Sequence, residues 1–166
     1  MTFLVWLLAA AGLLGQEPQQ QSCAPCHNEQ IADFQSHKHS QKGLQCSVCH
    51  GTSQKHREST GNVPPDRVAA PDEVAALCGT CHQQEKTEFL QSKHQAAMVS
   101  RKARSANCNT CHGHHALRAW KATEAGCNRC HTELPAACKR PAATSSAKVS
   151  CMNCHARHTL VTAARP

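Results

Sequence analysis

Apolar residues are concentrated at the start of the chain and are sparse elsewhere. Residues 3–14 form an uninterrupted apolar run, which is shorter than the roughly 20 residues of a bilayer span and is typical of the hydrophobic region of a signal peptide. No later segment alternates between apolar and polar residues as a strand would. We therefore expect an exported protein, periplasmic or extracellular, with residues 1–15 as its signal peptide and without an integral membrane span.

Two helix-compatible stretches resemble each other. NEQIADFQSHKH follows His27 and QQEKTEFLQSKH follows His82, and residues 83–104 are the longest helical candidate. Residues 51–73 and 135–150 are rich in Gly, Pro or small polar residues and are typical of connectors. The pattern predicts a mainly α fold with short helices, extensive irregular structure and little or no β.

The content of large apolar side chains is too low for an ordinary core. After the N-terminal apolar run, Phe34, Phe89 and Trp120 are the only Phe, Trp or Tyr residues, and Cys and Ala make up most of the 40% hydrophobic share. A chain of this composition does not bury enough apolar surface to offset its conformational entropy. Something other than amino-acid side chains must fill the interior.

Twelve of the 13 cysteines belong to six copies of the pentapeptide Cys-x-x-Cys-His. In this motif two thiols attach to one side of a haem, and the following His ligates the iron. Zinc ribbons and thioredoxin-like pairs also use Cys-x-x-Cys, but neither needs His after every pair. The sequence therefore predicts six covalent, thioether-linked haem c groups, which supply the missing core. The attachment cysteines are Cys23, Cys26, Cys46, Cys49, Cys78, Cys81, Cys108, Cys111, Cys127, Cys130, Cys151 and Cys154. The proximal ligands are His27, His50, His82, His112, His131 and His155.

The seven remaining histidines are candidate distal ligands of the irons. A Phe stands five residues before His39 and before His94, and a Gly and a further His follow the second and the fourth motif. The expected distal ligands are His39, His56, His94, His115 and His158. His115 is preferred to His114 because it stands three residues after its motif, as His158 does. The sixth iron needs one more ligand, for which His37, His114 and Met98 are the candidates, with His37 in the predicted set.

The six motifs fall into three pairs. We expect two-haem modules at residues 16–72 and 73–121 and a degenerate third module at 122–166, all within one continuous haem-packed domain. The third module is degenerate because ELPAACKRPAATSSAK, between its motifs, contains no Phe and no His. Cys138 lies in this segment and belongs to no motif. We expect a buried spectator thiol there, with a reactive surface thiol or an intermolecular link as alternatives.

Charge is distributed unevenly along the chain. Residues 1–90 contain six Lys and Arg against nine Asp and Glu, whereas residues 91–166 contain twelve against two. A basic half often indicates a nucleic-acid partner, but export and haem attachment argue against one here. We expect some basic side chains to pair with haem propionates. The others form either a docking face for an acidic partner or a solvated surface.

The paired motifs, the Phe-x-x-x-x-His helices and the Cys-x-x-Cys-His-Gly…His closures resemble periplasmic multihaem c-type cytochromes. The pentahaem and decahaem respiratory electron-transfer cytochromes are the most similar, over about residues 22–158. This resemblance implies bis-histidine irons and electron transfer along closely packed haems. It also implies redox partners such as a quinol dehydrogenase, a terminal reductase or an outer-membrane conduit, as in anaerobic respiration.

We therefore expect an electron carrier, not an enzyme, with no catalytic residues. Two alternatives stay open at this point. The first is a multihaem reductase that acts on a small nitrogen or oxyanion substrate at an incompletely ligated haem. The degenerate third module is the place to look for such a haem. The second alternative is a subunit of an extracellular cytochrome filament.

Overall fold

The computed structural model of the chain describes residues 22–100, 105–133 and 150–162. Within these ranges the chain forms helices of three to eight residues and no strand, with one isolated antiparallel bridge between His155 and Thr162. The mainly α fold with extensive irregular structure is therefore confirmed. The helices are α1 (Asn28–Gln35), α2 (Lys38–Gln41), α3 (Cys46–His50), α4 (Gln54–Glu58), α5 (Val74–Cys78), α6 (Gln83–Leu90), α7 (Lys93–Val99), α8 (Cys108–His112) and α9 (Trp120–Cys127), followed by a 3-10 turn at Cys151–Asn153.

Some of the sequence-based predictions fall outside the described residues. They concern the signal peptide at residues 1–15, the connector at 135–150 except for its last residue, and Cys138. The last part of the helical candidate, residues 101–104, lies outside as well. In the ranges that are described, no helix has both the length and the apolar character needed to cross a membrane.

Each of the two helix-compatible stretches forms two short helices rather than one. His37 separates α1 from α2, and its Nδ1 accepts a hydrogen bond of 3.1 Å from the N–H of His39. Ser92 separates α6 from α7, and its hydroxyl accepts one of 3.1 Å from the N–H of Gln95. Both capping residues have extended backbone, as N-caps do. The chain therefore turns just before the helix that presents each candidate distal ligand.

The ordinary hydrophobic core is very small. Among the described residues, the buried apolar side chains are Val74, Ala75 and Phe89, with exposures of 3%, 5% and 7%. They belong to α5 and α6, which pack against each other, and α5 also packs against α8. Three side chains provide little of the apolar burial that a folded domain needs. This result agrees with the expectation that non-protein groups fill the interior.

Gly51 and Gly113 follow the second and the fourth motif in a conformation that is almost restricted to glycine. Their φ angles are 74° and 78°, with ψ near 180° in both. A Cβ atom on Gly51 would lie 2.8 Å from Cβ of Asp66, and one on Gly113 would collide with the carbonyl oxygen of Ala116. The repeated His-Gly sequence is therefore required by the sharp turn that follows these motifs.

Candidate haem-binding sites

All six Cys-x-x-Cys-His motifs adopt a helical turn. The second and the fourth motif form the helices α3 and α8 themselves. In the other four, the N–H of the motif His donates to the carbonyl oxygen of the first Cys over 2.9–3.0 Å. Residues three apart on a helical turn lie on the same face. The two thiols of each motif are thus placed to anchor one group, with the imidazole directly beside them.

Each pair of successive motifs, with the chain that follows it, is called a repeat below. Within the first two repeats, the first thiol of one motif lies beside the first thiol of the other. Cys46 has a raised pKa because of burial and the adjacent, hydrogen-bonded thiol of Cys23. Cys78 and Cys108 share a hydrogen bond, which raises the pKa of Cys78 and lowers that of Cys108. Both pairs link the first motif of a repeat to the second.

The same contact recurs in the third repeat, and further contacts connect the repeats. Burial raises the pKa of Cys127, and the neighbouring thiols of Cys151 and Cys111 raise it further. Burial also raises the pKa of Cys49, with a contribution from Cys78 in the next repeat. Each motif therefore lies beside the one that follows it in the sequence, from the first to the sixth.

Ten of the thirteen imidazoles form five pairs whose ring centroids lie close to 6 Å apart. Each pair joins a motif histidine to a histidine outside the motifs. Two imidazoles that bind one iron from opposite faces have ring centres roughly 6 Å apart, from two metal–nitrogen bonds of about 2 Å and about 1 Å within each ring. The rings therefore fit an iron between them. The pairs are His27 and His56 (6.1 Å), His39 and His82 (5.9 Å), His50 and His115 (6.0 Å), His94 and His131 (6.0 Å), and His112 and His158 (6.2 Å).

Two of these pairs join the helix of one repeat to the first motif of the next. His39, presented by α2, faces His82, the first motif histidine of the second repeat. His94, presented by α7, faces His131, the first motif histidine of the third repeat. In the first two repeats, the histidine of the helix thus faces the first motif histidine of the repeat that follows, not one of its own repeat.

Two other pairs join the second motif of one repeat to the loop after the second motif of the next. His50 faces His115, and His112 faces His158. The fifth pair lies within the first repeat. The five histidines that the spacing predicts as distal ligands are therefore all brought to a motif histidine, four of them in a different repeat.

Hydrogen bonds at Nδ1 fix the orientation of several of these rings. Nδ1 of His50 donates to the carbonyl oxygen of Arg67 (3.1 Å), and Nδ1 of His56 donates to that of Val63 (2.7 Å). Because a carbonyl oxygen can only accept, the ring proton is on Nδ1 and Nε2 keeps its lone pair. An outer hydrogen bond of this kind is typical of histidines that ligate a metal.

A carboxylate takes the place of the carbonyl at His158. Nδ1 of His158 lies 3.0 Å from Oε2 of Glu88, and Nε2 of Gln84 donates to the other oxygen of the same carboxylate over 3.1 Å. The hydrogen bond from Gln84 and the contact with His158 lower the pKa of Glu88, which favours the charged carboxylate. Glu88 is not among the residues that the motifs single out.

The internal repeat contains a sequence feature that could have indicated Glu88, an acidic residue at the same position in both copies. Asp33 directly precedes the Phe of its helix, as Glu88 does in the second repeat. Asp33 and His115 line one cavity of about 390 Å³, and Glu88 and His158 line another of about 460 Å³. Burial lowers the pKa of His115, and the charge of Asp33 opposes this effect. A carboxylate thus recurs beside the loop histidine of the following repeat.

Burial also affects the protonation of the paired rings. It lowers the pKa of His94 and His112, as it does that of His115, and the ring that faces each of them lowers it further. A lower pKa favours the neutral imidazole, the form that ligates metals.

The segment after α4, expected only as a connector, holds the second motif in place. Arg67 donates from Nε to the carbonyl oxygen of Cys49 (2.7 Å) and from Nη2 to that of Val48 (2.8 Å). Asp66 accepts from the N–H of Ser53 (2.7 Å), and its own N–H donates to the hydroxyl of Ser53 (3.1 Å). Arg67 thereby caps carbonyl groups at the C-terminal end of α3, which would otherwise lack partners.

The candidates for a sixth distal ligand lie in other surroundings. The ring of His37 is 4.7 Å from that of His39, and the ring of His114 is 4.7 Å from that of His115. Both distances are too short for an iron between the rings. Met98 lies in α7 with a half-buried side chain. Among the described residues, His155 is the motif histidine that no second imidazole faces.

The six motifs, the contacts between their thiols and the imidazole pairs together define a multihaem c-type cytochrome. The model of the Cytochrome c3 family matches residues 38–132, more than half of the 166-residue chain. The chain therefore belongs to the cytochrome c3 family, and multihaem electron transfer with redox partners follows as its general function. No curated protein and no solved structure matches the chain significantly.

Proposed function

We propose that the chain is an exported hexahaem cytochrome that transfers electrons along a row of mostly bis-histidine haems between respiratory partners. The five imidazole pairs at 5.9–6.2 Å carry this proposal. Each pair combines one motif histidine with one histidine outside the motifs, which is the ligand set that an iron with two axial imidazoles needs. Two protein ligands leave no position for a substrate, which favours a carrier over an enzyme at these five sites.

The contacts between cysteines support a single row in the order of the sequence. Haem iron, when bound, supplies the one-electron chemistry, and the protein supplies binding, orientation and electrostatics. The thiol of Cys23 lies beside that of Cys46, and the thiol of Cys78 lies beside that of Cys108. Anchors this close hold neighbouring macrocycles against each other with little protein between them.

The pairs between repeats support one domain built from the modules at residues 16–72, 73–121 and 122–166. An iron held by His39 and His82 joins the first module to the second, and one held by His94 and His131 joins the second to the third. Because the apolar core is so small, these links would provide much of the tertiary stability. The fold would then depend on the cofactors.

Export and partners rest on sequence features. The apolar run at residues 3–14 supports secretion. The basic composition of residues 91–166 supports a docking face for an acidic redox partner, since complementary charge accelerates encounter. A quinol dehydrogenase, a terminal reductase and an outer-membrane conduit are the partner classes that fit this role.

The intact mass of the mature holoprotein tests the proposal. The chain, expressed in a host that attaches haem c, should be red and heavier by six haems, and the same measurement locates signal cleavage. The Cys127→Ala, Cys130→Ala double variant should lose one haem and keep five. A mature protein that folds with fewer than six haems would contradict the proposal.

A further inference from the structure

We propose that the ring of His94 and the side chains of Arg118 and Arg129 make the fifth motif the most easily reduced position of the row, so that electrons collect there. This inference rests on the proposed function, because it assumes haem at all six motifs. It depends on the hydrogen bonding of the paired rings and on the charges that surround them, both of which change the relative stability of ferric and ferrous iron.

The pair of His94 and His131 differs from the other four pairs in its outer contacts. Nδ1 of His94 is buried and has no hydrogen-bond partner among the described residues. Within the same residues, the ring of His131 likewise has no hydrogen bond or ion pair. Each of the other four pairs has such a contact at one ring, which is a hydrogen bond at His50, His56 and His158 and a carboxylate 3.9 Å from Nδ1 at His82.

The free Nδ1 of His94 makes this ring a weaker donor to iron. An outer acceptor raises the basicity of a ligating imidazole, and a more basic ligand stabilises the ferric form. Because Nδ1 of His94 is buried, bulk water does not replace the missing acceptor. The segment is held by its backbone instead, since the hydroxyl of Ser105 donates to the carbonyl oxygen of His94 (2.6 Å). The ferrous form is therefore favoured at this pair.

Two arginine side chains meet beside the fifth motif. A Cβ atom on Gly126, which directly precedes Cys127, would lie 3.2 Å from Nη2 of Arg129 and 3.9 Å from Nη1 of Arg118. Neither guanidinium forms an ion pair with a carboxylate in the part of the chain that the structure describes. A positive charge near an iron favours the ferrous form, which carries one positive charge less than the ferric form.

The charges beside the preceding two motifs have the opposite sign. Oε2 of Glu88 lies 3.0 Å from Nδ1 of His158, whose ring faces His112 in the fourth motif. Oε2 of Glu85 lies 3.9 Å from Nδ1 of His82 in the third motif. A negative charge at these rings stabilises ferric iron, so that both positions are harder to reduce than the fifth.

The fourth and the fifth position are neighbours, so this difference acts across one electron-transfer step. Burial raises the pKa of Cys127, and the nearby thiols of Cys151 and Cys111 raise it further. Burial also raises the pKa of Cys111, which the charge of Arg118 opposes, so that Arg118 acts near both positions and Arg129 distinguishes them. An electron that passes from the fourth position to the fifth oxidises the first iron and reduces the second, and no proton has to move.

A reductive spectroelectrochemical titration of the holoprotein tests this inference. The Cys127→Ala, Cys130→Ala variant, in preparations that carry five haems by mass, should lose the step of highest potential. Cys23→Ala, Cys26→Ala is the matched control, because it removes the haem of the first motif and should keep that step. If the step of highest potential survives without the fifth haem, the inference is overturned and the proposed carrier stays intact.

A single substitution tests the same inference in protein that carries all six haems. Arg129→Gln should make the most easily reduced haem about threefold harder to reduce, a shift of about 28 mV at about 59 mV per tenfold change in the one-electron equilibrium. The factor is small because Arg129 is exposed and solvent ions screen its charge.

Lys42→Gln is the control for that variant. Lys42 is an exposed residue of the first repeat, so that its substitution removes the same charge and should leave the highest potential unchanged. No shift in Arg129→Gln, or an equal shift in both variants, would overturn the inference. An unsubstituted protein with fewer than six haems would contradict the proposed function itself.

Discussion

Nδ1 of His158 and Oε2 of Glu88 lie 3.0 Å apart although 70 residues separate them in the sequence. Glu88 projects from α6, where Gln84 holds its other oxygen, and His158 comes from the segment after the sixth motif. The contact connects the second repeat to the third. It also places the carboxylate of Glu88 beside Nδ1 of His158, whose ring faces His112.

Glu88→Gln should raise the reduction potential of the haem between His112 and His158. A carboxylate at Nδ1 makes the imidazole a stronger donor, which stabilises the ferric iron. A tenfold change in the one-electron equilibrium corresponds to about 59 mV, and we expect a shift of this order in a spectroelectrochemical titration of the holoprotein. Glu85→Gln is the matched control, because Glu85 lies on the same helix but 3.9 Å from Nδ1 of His82, beyond hydrogen-bond range. Equal shifts in the two variants would mean that only the change in net charge matters.

His115→Ala should convert one haem from low spin to high spin. The ring of His115 lies 6.0 Å from that of His50, so its removal takes one of the two imidazoles from that iron. Low-temperature EPR of the oxidised protein measures the change, and added imidazole should reverse it. His114→Ala, which alters the adjacent ring, should leave the spectrum unchanged. The opposite outcome, with His114 required and His115 dispensable, would exchange their roles.

Gly113→Ala should destabilise the holoprotein by about 1–3 kcal/mol, the range for a strained backbone conformation. The φ angle of 78° is unfavourable for alanine, and its Cβ would collide with the carbonyl oxygen of Ala116. Guanidinium unfolding followed by circular dichroism measures the loss.

Gly126→Ala is the control for that variant. Gly126 lies in α9, where alanine favours the helix by up to about 1 kcal/mol, and the nearest atom to a new Cβ is the end of the flexible Arg129 side chain at 3.2 Å. We expect no loss of stability there. Equal losses at both glycines would show that the turn after the motif has no special requirement.

Ser92→Ala should cost about 1 kcal/mol of folding stability, as the loss of an N-cap usually does. Ser92 is 1% exposed, and its hydroxyl accepts from the N–H of Gln95 at the start of α7. Thermal unfolding of the holoprotein measures the effect. Ser100→Ala, at the exposed other end of α7, should change the melting temperature much less. Because α7 presents His94, the Ser92 variant should also broaden the signal of the haem that this ring would ligate.

The class of fold and the chemistry of the motifs were accessible from the sequence. A chain with Phe34, Phe89 and Trp120 as its aromatic residues after the N-terminal run has few options for a core. Six Cys-x-x-Cys-His motifs then specify what fills it. Spacing also identifies the histidines that face a motif histidine. His39 and His94 each stand five residues after a Phe, and His115 and His158 each stand three residues after a motif.

The pairing itself was not accessible. The length of the segment before His39 suggests that this ring lies away from its own motif, but nothing in the local sequence indicates that its partner is His82 of the next repeat. The break between α1 and α2 escaped the sequence for a related reason. His37 is an uncommon N-cap, and the residues on both sides of it are compatible with helix. The role of Glu88 depends on a contact across 70 residues, which only the repeated position of Asp33 could have indicated.

Four of the five imidazole pairs combine histidines from two different repeats, and this affects the order in which the sites become complete during synthesis. As the polypeptide grows from its N-terminus, the site of His27 is complete when His56 has been made, and the site of His82 is complete at once, because His39 is already present. His50 must wait for His115. Under the proposed ligation, the five paired sites are completed in the order first, third, second, fifth and fourth. Under that ligation, the order in which the ligand pairs become complete would differ from the linear order of the motifs.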